Sequence, residues 1–328
     1  MPHGHAGKIL HVDLTAGRFR AERLEDAPEF IGGRGLNQRR LFDLQRRGAP
    51  ALDPDNPILL AAGPLVGTPV PGACRLAVDF RNLVTGGVGS ANVGGHFAAE
   101  LKFAGYDQVV IQGRAPRPVY PLITPDTVAL RDAAALRGQT TWETDNRIKR
   151  LEGDPRIKTL CIGPAGENLV RFACLIADRG RAAGYGGAGA VFGAKNLKAV
   201  AVRGGRPVSV AHPADLDAEL RRFNREVMDR SRFVAIHRQG GTLAAYLLPG
   251  EKRPHAVGNM REEFWSDAAI ARVDRTVLDG RFLVRRHACF ACPVYCSAIY
   301  RVGELFCEGL QANSWRGFAS NLRLGDPE

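Results

Sequence analysis

The chain has 328 residues, of which 45% are hydrophobic and 24% charged, and its formal net charge is +11. This length suits two domains of about 100–200 residues each, and the ordinary composition excludes collagen-like, coiled-coil and low-complexity proteins. No stretch approaches the roughly 20 apolar residues of a membrane span, and residues 1–10 lack the apolar core of a signal peptide. We therefore expect a cytoplasmic protein that does not engage a membrane.

The positive charge comes mostly from arginines, which are scattered along the chain and not gathered into one stripe. No sequence signature of a DNA- or RNA-binding module accompanies them, so a nucleic-acid partner is not expected. A basic balance of this kind also suits the phosphates of an anionic cofactor or the surface of an acidic electron carrier.

Up to about residue 205, short apolar and β-branched runs alternate with glycine and proline, which predicts strands. The six clearest runs are PILLAAGPLVG (57–67), CRLAVDF (74–80), YDQVVIQG (106–113), PVYPLIT (118–124), IKTLCIGPAG (157–166) and LKAVAVRG (197–204). From residue 213 the spacing of apolar residues changes to three or four, as at Leu216, Leu220, Phe223 and Val227, which predicts an amphipathic helix. The segment 266–278 continues this helical pattern, with Ser266 or Asp267 as its N-cap.

These patterns predict an α+β protein with a β-rich first domain at 1–207 and a helical second domain at 208–328. The first domain also contains a possible internal repeat. Residues 58–112 and 159–202 both give a strand, a Gly-Pro turn, a second strand, a glycine-rich loop and a further strand. If the repeat is real, the two glycine-rich loops occupy equivalent positions and suit a ligand with two similar halves.

The two glycine-rich loops, TGGVGSANVGGHF (85–97) and RAAGYGGAGAVFG (181–193), contain more glycine than turns require. Glycine lets the backbone approach a ligand closely and point its N–H groups at phosphate. Gly184, Gly186 and Gly189 fit the dinucleotide-binding spacing, but the next acidic residue is Asp215, and Lys195 lies in between, so a nicotinamide site is disfavoured. Glycines that merely pack tightly at bends remain an alternative.

Three cysteines cluster near the end of the chain, in the segment CFACPVYC. Their Cys-x2-Cys-x3-Cys spacing brings Cys289, Cys292 and Cys296 within reach of one metal centre, and soft thiolates select zinc or iron–sulfur clusters. A [4Fe–4S] cluster is the favoured ligand, while a zinc ion or no metal at all remain open. The other four cysteines are isolated, and a disulfide framework is not expected.

Taken together, these segments resemble the aldehyde ferredoxin oxidoreductase family of tungsten or molybdenum pterin enzymes over essentially the whole chain. The order and spacing of seven segments carry the resemblance, namely GKILHVDLTAG (7–17), FIGGRGLNQRRLFD (30–43), 58–80, 90–120, IGPAGENLVRFA (162–173), 178–202 and CFACPVYC (289–296). The resemblance implies a duplicated first domain that forms the base for a bis-pyranopterin cofactor. It also implies an all-helical region that follows this domain and carries the cysteine motif.

By this resemblance, Arg75 would contact a pterin and lie between it and the cluster. The contacts to the pterin phosphates, and to a magnesium ion that bridges them, would come from Asn92, Gly94, Arg181, Ala182 and Gly184. Cys289, Cys292 and Cys296 would bind the [4Fe–4S] cluster. Electrons would leave through this cluster to ferredoxin or to an electron-transfer subunit.

The chain departs from the family pattern at residues that bear on chemistry. Tyr185 stands where the family commonly has arginine, and Gln311 and Asn313 stand where it has carboxylates. An amide cannot take up a proton near neutral pH, so acid–base chemistry on an aldehyde by the usual route is in doubt and no catalytic residue is assigned.

The last residues, LGDPE, have the pattern of a helix start, with Asp326 as N-cap and Pro327 at the first helical position. We expect the family's Asp-x-x-Gly-Leu-Asp motif and its fourth cluster cysteine to be supplied by a continuation of this chain or by a second chain. Cys307 is a less favoured fourth ligand.

The favoured function is therefore that of an oxidoreductase, or of its N-terminal portion, with an aldehyde or other oxo-type substrate. A partial or non-catalytic subunit of a related pterin enzyme, such as benzoyl-CoA reductase, is the alternative. A zinc-stabilised binding protein is a third possibility and would be colourless.

Overall fold

The computed structural model describes residues 3–246, 257–263, 265–309 and 312–324. The chain divides into two compact units, Met1–Pro213 and Ala214–Glu328. The first contains two six-stranded sheets and several helices, and the second contains helices and a three-stranded sheet. The fold is therefore α+β, as the sequence predicts. Within the described ranges, every helix is too short or too polar to cross a membrane.

The first sheet has the strand order β2-β1-β6-β3-β4-β5, and every neighbouring pair is antiparallel except β1 and β6. Its strands are β1 (Lys8–Asp13), β2 (Arg18–Arg23), β3 (Ile58–Ala62), β4 (Leu76–Arg81), β5 (Val88–Val93) and β6 (Gln108–Gln112). Three of the predicted strands are confirmed as β3, β4 and β6. All five residues of β3 are buried, as is typical of a central strand covered on both faces. The helices between these strands are α1 (Ala27–Phe30), α2 (Arg34–Leu44) and α3 (Phe97–Phe103).

The second sheet has the order β8-β7-β12-β9-β10-β11, and here β7 and β12 form the parallel pair. Its strands are β7 (Val119–Ile123), β8 (Val128–Asp132), β9 (Lys158–Cys161), β10 (Leu175–Ala177), β11 (Arg181–Ala183) and β12 (Ala199–Val202). The other three predicted strands are confirmed as β7, β9 and β12. The helices are α4 (Thr141–Leu151), α5 (Pro164–Glu167) and α6 (Ala188–Ala194).

The two sheets have the same strand topology. If six is added to each strand number of the first sheet, its order and its single parallel pair become those of the second sheet. The helices correspond as well, because α2 and α4 each have 11 residues and α3 and α6 each have 7. In both sheets the shorter of these helices follows the edge strand that ends in a glycine-rich loop.

The second unit begins with helices and ends in a mixed segment. Its elements, with the helix that leads into it, are α7 (Pro213–Phe223), a π-helical turn (Asn224–Met228), α8 (Arg232–Tyr246), α9 (Asp267–Val273), α10 (Arg275–Phe282), β13 (Leu283–His287), β14 (Ser297–Val302), β15 (Leu305–Glu308) and α11 (Ala312–Asn321). The predicted helix at 266–278 is present but divided at Asp274, whose carboxylate accepts the N–H of Val277 at 3.0 Å and caps α10. Ser266 is the N-cap of α9, as predicted.

The prediction that the cysteine motif lies in an all-helical region is wrong. The motif lies between β13 and β14, two antiparallel strands of the sheet β13-β14-β15. The physical reason lies in the composition of β14, where Ile299, Tyr300 and Val302 favour an extended chain, and its first four residues are buried. The helical spacing that ends near residue 278 does not extend to this segment.

A buried ion pair fixes the N-terminal segment to the first sheet. The side chains of Lys102 and Asp107 are fully buried, with Nζ and Oδ1 2.6 Å apart. The carboxylate of Asp107 also accepts the N–H groups of Ala6 and Gly7, and the Lys102 ammonium donates to the carbonyl of Gly4. Burial alone would raise the pKa of Asp107, but hydrogen bonds from His5 and Gly7 and the charge of Lys102 lower the pKa overall.

We expect Asp107→Asn to reduce the free energy of unfolding by about 3–5 kcal/mol, because it leaves the buried Lys102 ammonium without its counter-charge. In the parent protein a lowered carboxyl pKa stabilises the fold above about pH 4, and this contribution is lost as the pH falls through the folded-state pKa. The variant should lack that acid dependence. Denaturant unfolding at several pH values measures both effects. Asp126→Asn breaks an exposed pair with Arg206 and should change the unfolding free energy by less than about 1 kcal/mol.

Candidate functional site

The two glycine-rich loops lie at equivalent positions of the two sheets. Asn92 is the last but one residue of β5, and Gly94 follows that strand directly. Ala182 and Gly184 have the same places at the end of β11. Both strands are edge strands, and each loop leads into a seven-residue helix. Four of the predicted cofactor contacts are therefore two pairs of matching residues.

The predicted residues of the first loop form one small polar surface. Arg75 directly precedes β4, and its Nη1 donates to the Oδ1 of Asn92 at 2.9 Å. Leu76 pairs with Val93, so the backbone of Arg75 lies next to Gly94. The side chains of Arg75 and Asn92 are exposed. A guanidinium, an amide and accessible backbone are thus presented together, a combination suited to an anion.

The first loop contacts the predicted arginine of the second. Gly95, with φ +110°, packs so closely on Asp178 that an added Cβ would overlap its Oδ2, and the same Cβ would lie 3.5 Å from the Cγ of Arg181. The structure therefore brings Gly94 and Arg181 into one neighbourhood. Arg181 is half-buried, whereas Ala182 and Gly184 beside it are exposed.

Asp178, in the turn between β10 and β11, joins the two loops. Its Oδ2 accepts the backbone N–H of His96 and lies 3.6 Å from the ring Nδ1 of the same residue. Burial would raise the pKa of Asp178, but the hydrogen bonds and charge of His96, with the charge of Lys158, lower the pKa overall, so the group is a carboxylate. Its Oδ1 is buried and has no hydrogen-bond partner within the described residues. Asp178 Oδ1 can therefore accept a hydrogen bond or bind a cation where the two loops meet.

The turn that carries Asp178 is held from its other side as well. Asp178 and Arg179 have φ values of 50° and 80°, a left-handed conformation that costs a residue other than glycine about 1–2 kcal/mol. Arg179 Nε donates to the fully buried Asp145 at 2.8 Å, and its guanidinium lies over the ring of Trp142. These contacts hold the turn in place and with it the start of β11.

Sequence reasoning missed Asp178 and Gly95, although both lie inside the segments that carry the family resemblance. The contact joins residues more than 80 positions apart, and only the path of the two sheets brings them together. The one signal available was the position of Asp178 three residues before Arg181.

The second loop is anchored by close backbone packing. The N–H of Leu83 donates to the carbonyl of Gly186 at 3.2 Å, and a Cβ at Gly187 would overlap the carbonyl oxygen of Arg171. Gly186 and Gly187 have φ values of 81° and 85°, which glycine adopts without strain. Tyr185, the residue that departs from the family pattern, is 57% exposed.

The three predicted metal ligands lie on the loop between β13 and β14. Cys289, Cys292 and Cys296 are half-buried, and the N–H of Cys292 donates to the carbonyl of Cys289 at 3.2 Å. The residues that directly precede the second and third cysteines, Ala291 and Tyr295, both have left-handed φ values, 50° and 53°. Such strain at non-glycine residues persists only where the surrounding structure imposes it and is concentrated at functional sites.

Helix α8 contacts the backbone of this loop. Arg238 Nε donates to the carbonyl of Pro293 at 2.8 Å. The helix is kinked at Gly240 and Gly241, and Gly241, with φ +61°, packs so tightly on the carbonyl of Cys296 that a Cβ would overlap it. The backbone of the loop is therefore supported by contacts between its carbonyl groups and α8.

The donor set of the loop fits an iron–sulfur cluster by its chemistry. Three soft thiolates on eight consecutive residues are the ligand type that such clusters select. Within the described ranges, no three His, Cys, Asp or Glu side chains lie close enough together to hold a metal ion, so the thiols share the loop without meeting at one point. In a cubane cluster each cysteine binds a different iron atom, so a common point is not required.

Several predictions concern residues that the structure does not describe. Gln311 and the side chain of Asn313 lie outside the described residues, and so do Asp326 and Pro327, the proposed helix start. Cys307, the less favoured fourth ligand, is described on β15 and is exposed.

Comparison with known proteins puts this α+β chain among the oxidoreductases. The family model described as "Aldehyde ferredoxin oxidoreductase, N-terminal domain" matches residues 9–204, which is more than half of the chain. The chain therefore belongs to the aldehyde ferredoxin oxidoreductase family, which is a family of enzymes.

Individual relatives agree with this assignment. The chain is 35% identical over 333 residues to a tungsten-containing aldehyde ferredoxin oxidoreductase of Pyrococcus furiosus, which covers 99% of this chain and 54% of the relative. It is 32% identical to an aliphatic sulfonate oxidoreductase, WOR-like subunit, of the same organism, over 90% of this chain and 49% of the relative. The active site complex BamBC of benzoyl coenzyme A reductase, in complex with 1,5-dienoyl-CoA, is structurally similar, with a TM-score of 0.83 and 28% identity over 98% of this chain and 52% of its own. The chain thus spans about half the length of the relatives it matches.

Proposed function

We propose that this chain forms the cofactor-binding base of a cytoplasmic tungsten- or molybdenum-containing bis-pyranopterin oxidoreductase that acts on an aldehyde or other oxo-type substrate. The observation that supports this most directly is the meeting of the two glycine-rich loops, at equivalent ends of two sheets with the same strand order. We infer that the first unit is a duplicated fold. Two related loops side by side match a ligand made of two similar halves.

The residues of the loops suit the phosphates of such a ligand. Arg75 and Arg181 supply positive charge, and the exposed residues Asn92, Ala182 and Gly184 allow close approach. The buried carboxylate of Asp178, whose Oδ1 has no hydrogen-bond partner among the described residues, would suit a magnesium ion bound with the phosphates. When bound, the metal–pterin group supplies the redox chemistry at the substrate, and the chain supplies binding, orientation and charge.

We further propose that Cys289, Cys292 and Cys296 hold a [4Fe–4S] cluster through which electrons pass to ferredoxin or to a partner subunit. Their position on a loop whose backbone is supported by α8 favours a preorganised site. The fourth ligand would come from outside the described residues, either from a continuation of the chain or from a second chain.

A specific observation favours an alternative within the same family. The similarity to the BamBC complex is close in fold, at a TM-score of 0.83, and that structure is a complex of subunits. The chain could therefore be a partial subunit that binds the cofactor or the cluster and requires a second chain for turnover. Gln311 and Asn313, at positions where the family has carboxylates, agree with this alternative.

Elemental analysis of anaerobically purified protein tests both the favoured function and the partial-subunit alternative. The favoured function predicts about four iron atoms and one tungsten or molybdenum atom per chain, with broad absorbance near about 400 nm. Arg181→Gln should lower the tungsten or molybdenum content and leave the iron unchanged, whereas Arg150→Gln, which removes an exposed arginine of α4, should change neither. Iron without tungsten or molybdenum would support the partial subunit. Colourless protein that contains zinc alone would contradict both.

A further inference from the structure

A cavity of about 360 Å³ in the first unit is lined by none of the predicted cofactor contacts. It is bounded by the connection between β6 and β7, by the segment before α4, and by residues 193–198 at the end of α6. The second glycine-rich loop (181–193) overlaps α6, and its last residue, Gly193, lines the cavity, whereas the predicted contacts Arg181, Ala182 and Gly184 precede the helix. The helix has seven residues and is about 10 Å long, so its length lies between those contacts and the cavity.

The lining of this cavity is strongly cationic. Four cationic side chains and one carboxylate line the cavity. The cations are Arg114, Arg117, Arg137 and Lys198, and the carboxylate is Glu167. An excess of positive charge around a concave surface concentrates anions there.

The acidic groups near the cavity are already engaged. Lys198 is almost fully buried, and its Nζ lies 2.5 Å from Glu167 Oε1, while Glu167 Oε2 accepts the N–H of Gly138 at 2.8 Å. Arg117 pairs with Asp132 at 3.1 Å. Across the described chain, neither Arg114 nor Arg137 has a side-chain hydrogen bond or an ion pair. Both residues are exposed, and no described acidic side chain compensates their charges.

The backbone that carries Arg114 is rigid. The N–H of Ala115 donates to the carbonyl of Lys195 at 3.1 Å, and the carbonyl of Ala115 accepts the Nδ2 of Asn196 at 2.7 Å. Pro116 and Pro118 follow and restrict the chain further. A ligand would therefore meet Arg114 on a backbone that is already in place, which reduces the entropic cost of binding.

We propose that this cavity binds a phosphate group, held by the guanidinium groups of Arg114 and Arg137. Arginine presents planar pairs of N–H donors that match phosphate oxygens, and two uncompensated guanidinium groups at one cavity match the two charges of a phosphate near neutral pH. The ligand is either inorganic phosphate or the phosphate of a larger ester. This proposal does not depend on the proposed function.

Isothermal titration of the purified protein with inorganic phosphate, at constant ionic strength set with KCl, tests the proposal. We expect a saturable site whose affinity falls about tenfold or more in Arg114→Gln and in Arg137→Gln, since each removes charge-assisted hydrogen bonds. Arg150→Gln removes the same charge from an exposed position that does not line the cavity, and should change the affinity less than about twofold. Titration with glycerol 3-phosphate distinguishes the two kinds of ligand. Tighter binding of the ester than of phosphate indicates a larger phosphorylated ligand, and tighter binding of phosphate indicates the free ion.

Arg181→Gln separates this site from the glycine-rich loops. The cavity should retain its phosphate site in Arg181→Gln, whatever happens to tungsten or molybdenum content. Loss of the site in Arg181→Gln with retention in Arg114→Gln would place the anion at the loops and overturn the proposal. Equal weakening in Arg150→Gln and Arg114→Gln would overturn it too, since diffuse charge would then explain the binding.

Discussion

Cys292→Ser should lose most of its iron when it is purified anaerobically beside the parent protein. A serine hydroxyl is a hard, weakly acidic ligand, whereas iron–sulfur clusters select soft thiolates. Loss of an outer-shell partner costs about 10–100-fold in metal affinity, so loss of a ligand itself should cost at least as much. The fold of the loop should persist, because α8 holds it through the carbonyl groups of Pro293 and Cys296.

Two further cysteine variants serve as controls for this result. Cys174→Ser changes a half-buried thiol of the first unit, far from the motif in sequence, and should leave iron per chain unchanged. Cys307→Ser tests the less favoured fourth ligand on β15, and unchanged iron there would assign the fourth ligand elsewhere. Iron content and absorbance are the measurements, with circular dichroism as a check of folding. If Cys292→Ser kept the parent's iron content, the assignment of the trio to a cluster would be wrong.

The second large effect is expected at Gly187, where alanine should destabilise the first unit by about 2–5 kcal/mol. The residue has φ +85°, and an added Cβ would overlap the carbonyl oxygen of Arg171. A left-handed conformation costs about 1–2 kcal/mol for a residue with a Cβ, and overpacking costs about 1–3 kcal/mol. The overlapping atom belongs to the backbone, so a side-chain rotation cannot relieve the clash. Denaturant unfolding of both proteins measures the difference.

Gly184→Ala, in the same loop, is the matched control. Gly184 is not in the left-handed φ region, and its added Cβ would lie 3.5 Å from the Sγ of Cys174, an ordinary van der Waals contact. The unfolding free energy should therefore change by less than about 1 kcal/mol. Tungsten or molybdenum content should nevertheless fall, because the methyl group would occupy the surface that we propose binds the pterin phosphates. Equal losses of unfolding free energy in both variants, or full metal content in Gly184→Ala, would contradict the assignment of Gly187 to packing and Gly184 to cofactor binding.

Much of the first unit was predictable because strand signals are local. Six apolar runs, among them those of β3 and β12, lie between turn-forming residues, and each contains a strand of the structure. Shorter strands such as β10 and β11 have only three residues each, too few for a pattern to show, and their pairing depends on neighbours. Helix α7 was predicted from its apolar spacing, yet none of its side chains, all of which are described, is buried.

The second unit shows where local patterns fail. Its helical spacing extends to residue 278, and nothing in the arginine-rich β13 indicates a strand by itself. That strand forms because it pairs with β14, whose first four residues are buried. Pairing of this kind is a property of two segments together, so neither segment's pattern reveals it alone.

By itself the sequence determined the α+β class, the two glycine-rich loops, the cysteine trio and the family, because each depends on residue types at short, regular spacing. Only the tertiary structure decided which of these features meet. The contact of Gly95 with Asp178, and the cavity shared by Arg114 and Arg137, follow from the order and register of strands. Strand order depends on the free energy of burying whole sheets, to which many residues contribute. A short stretch of sequence therefore does not predict it.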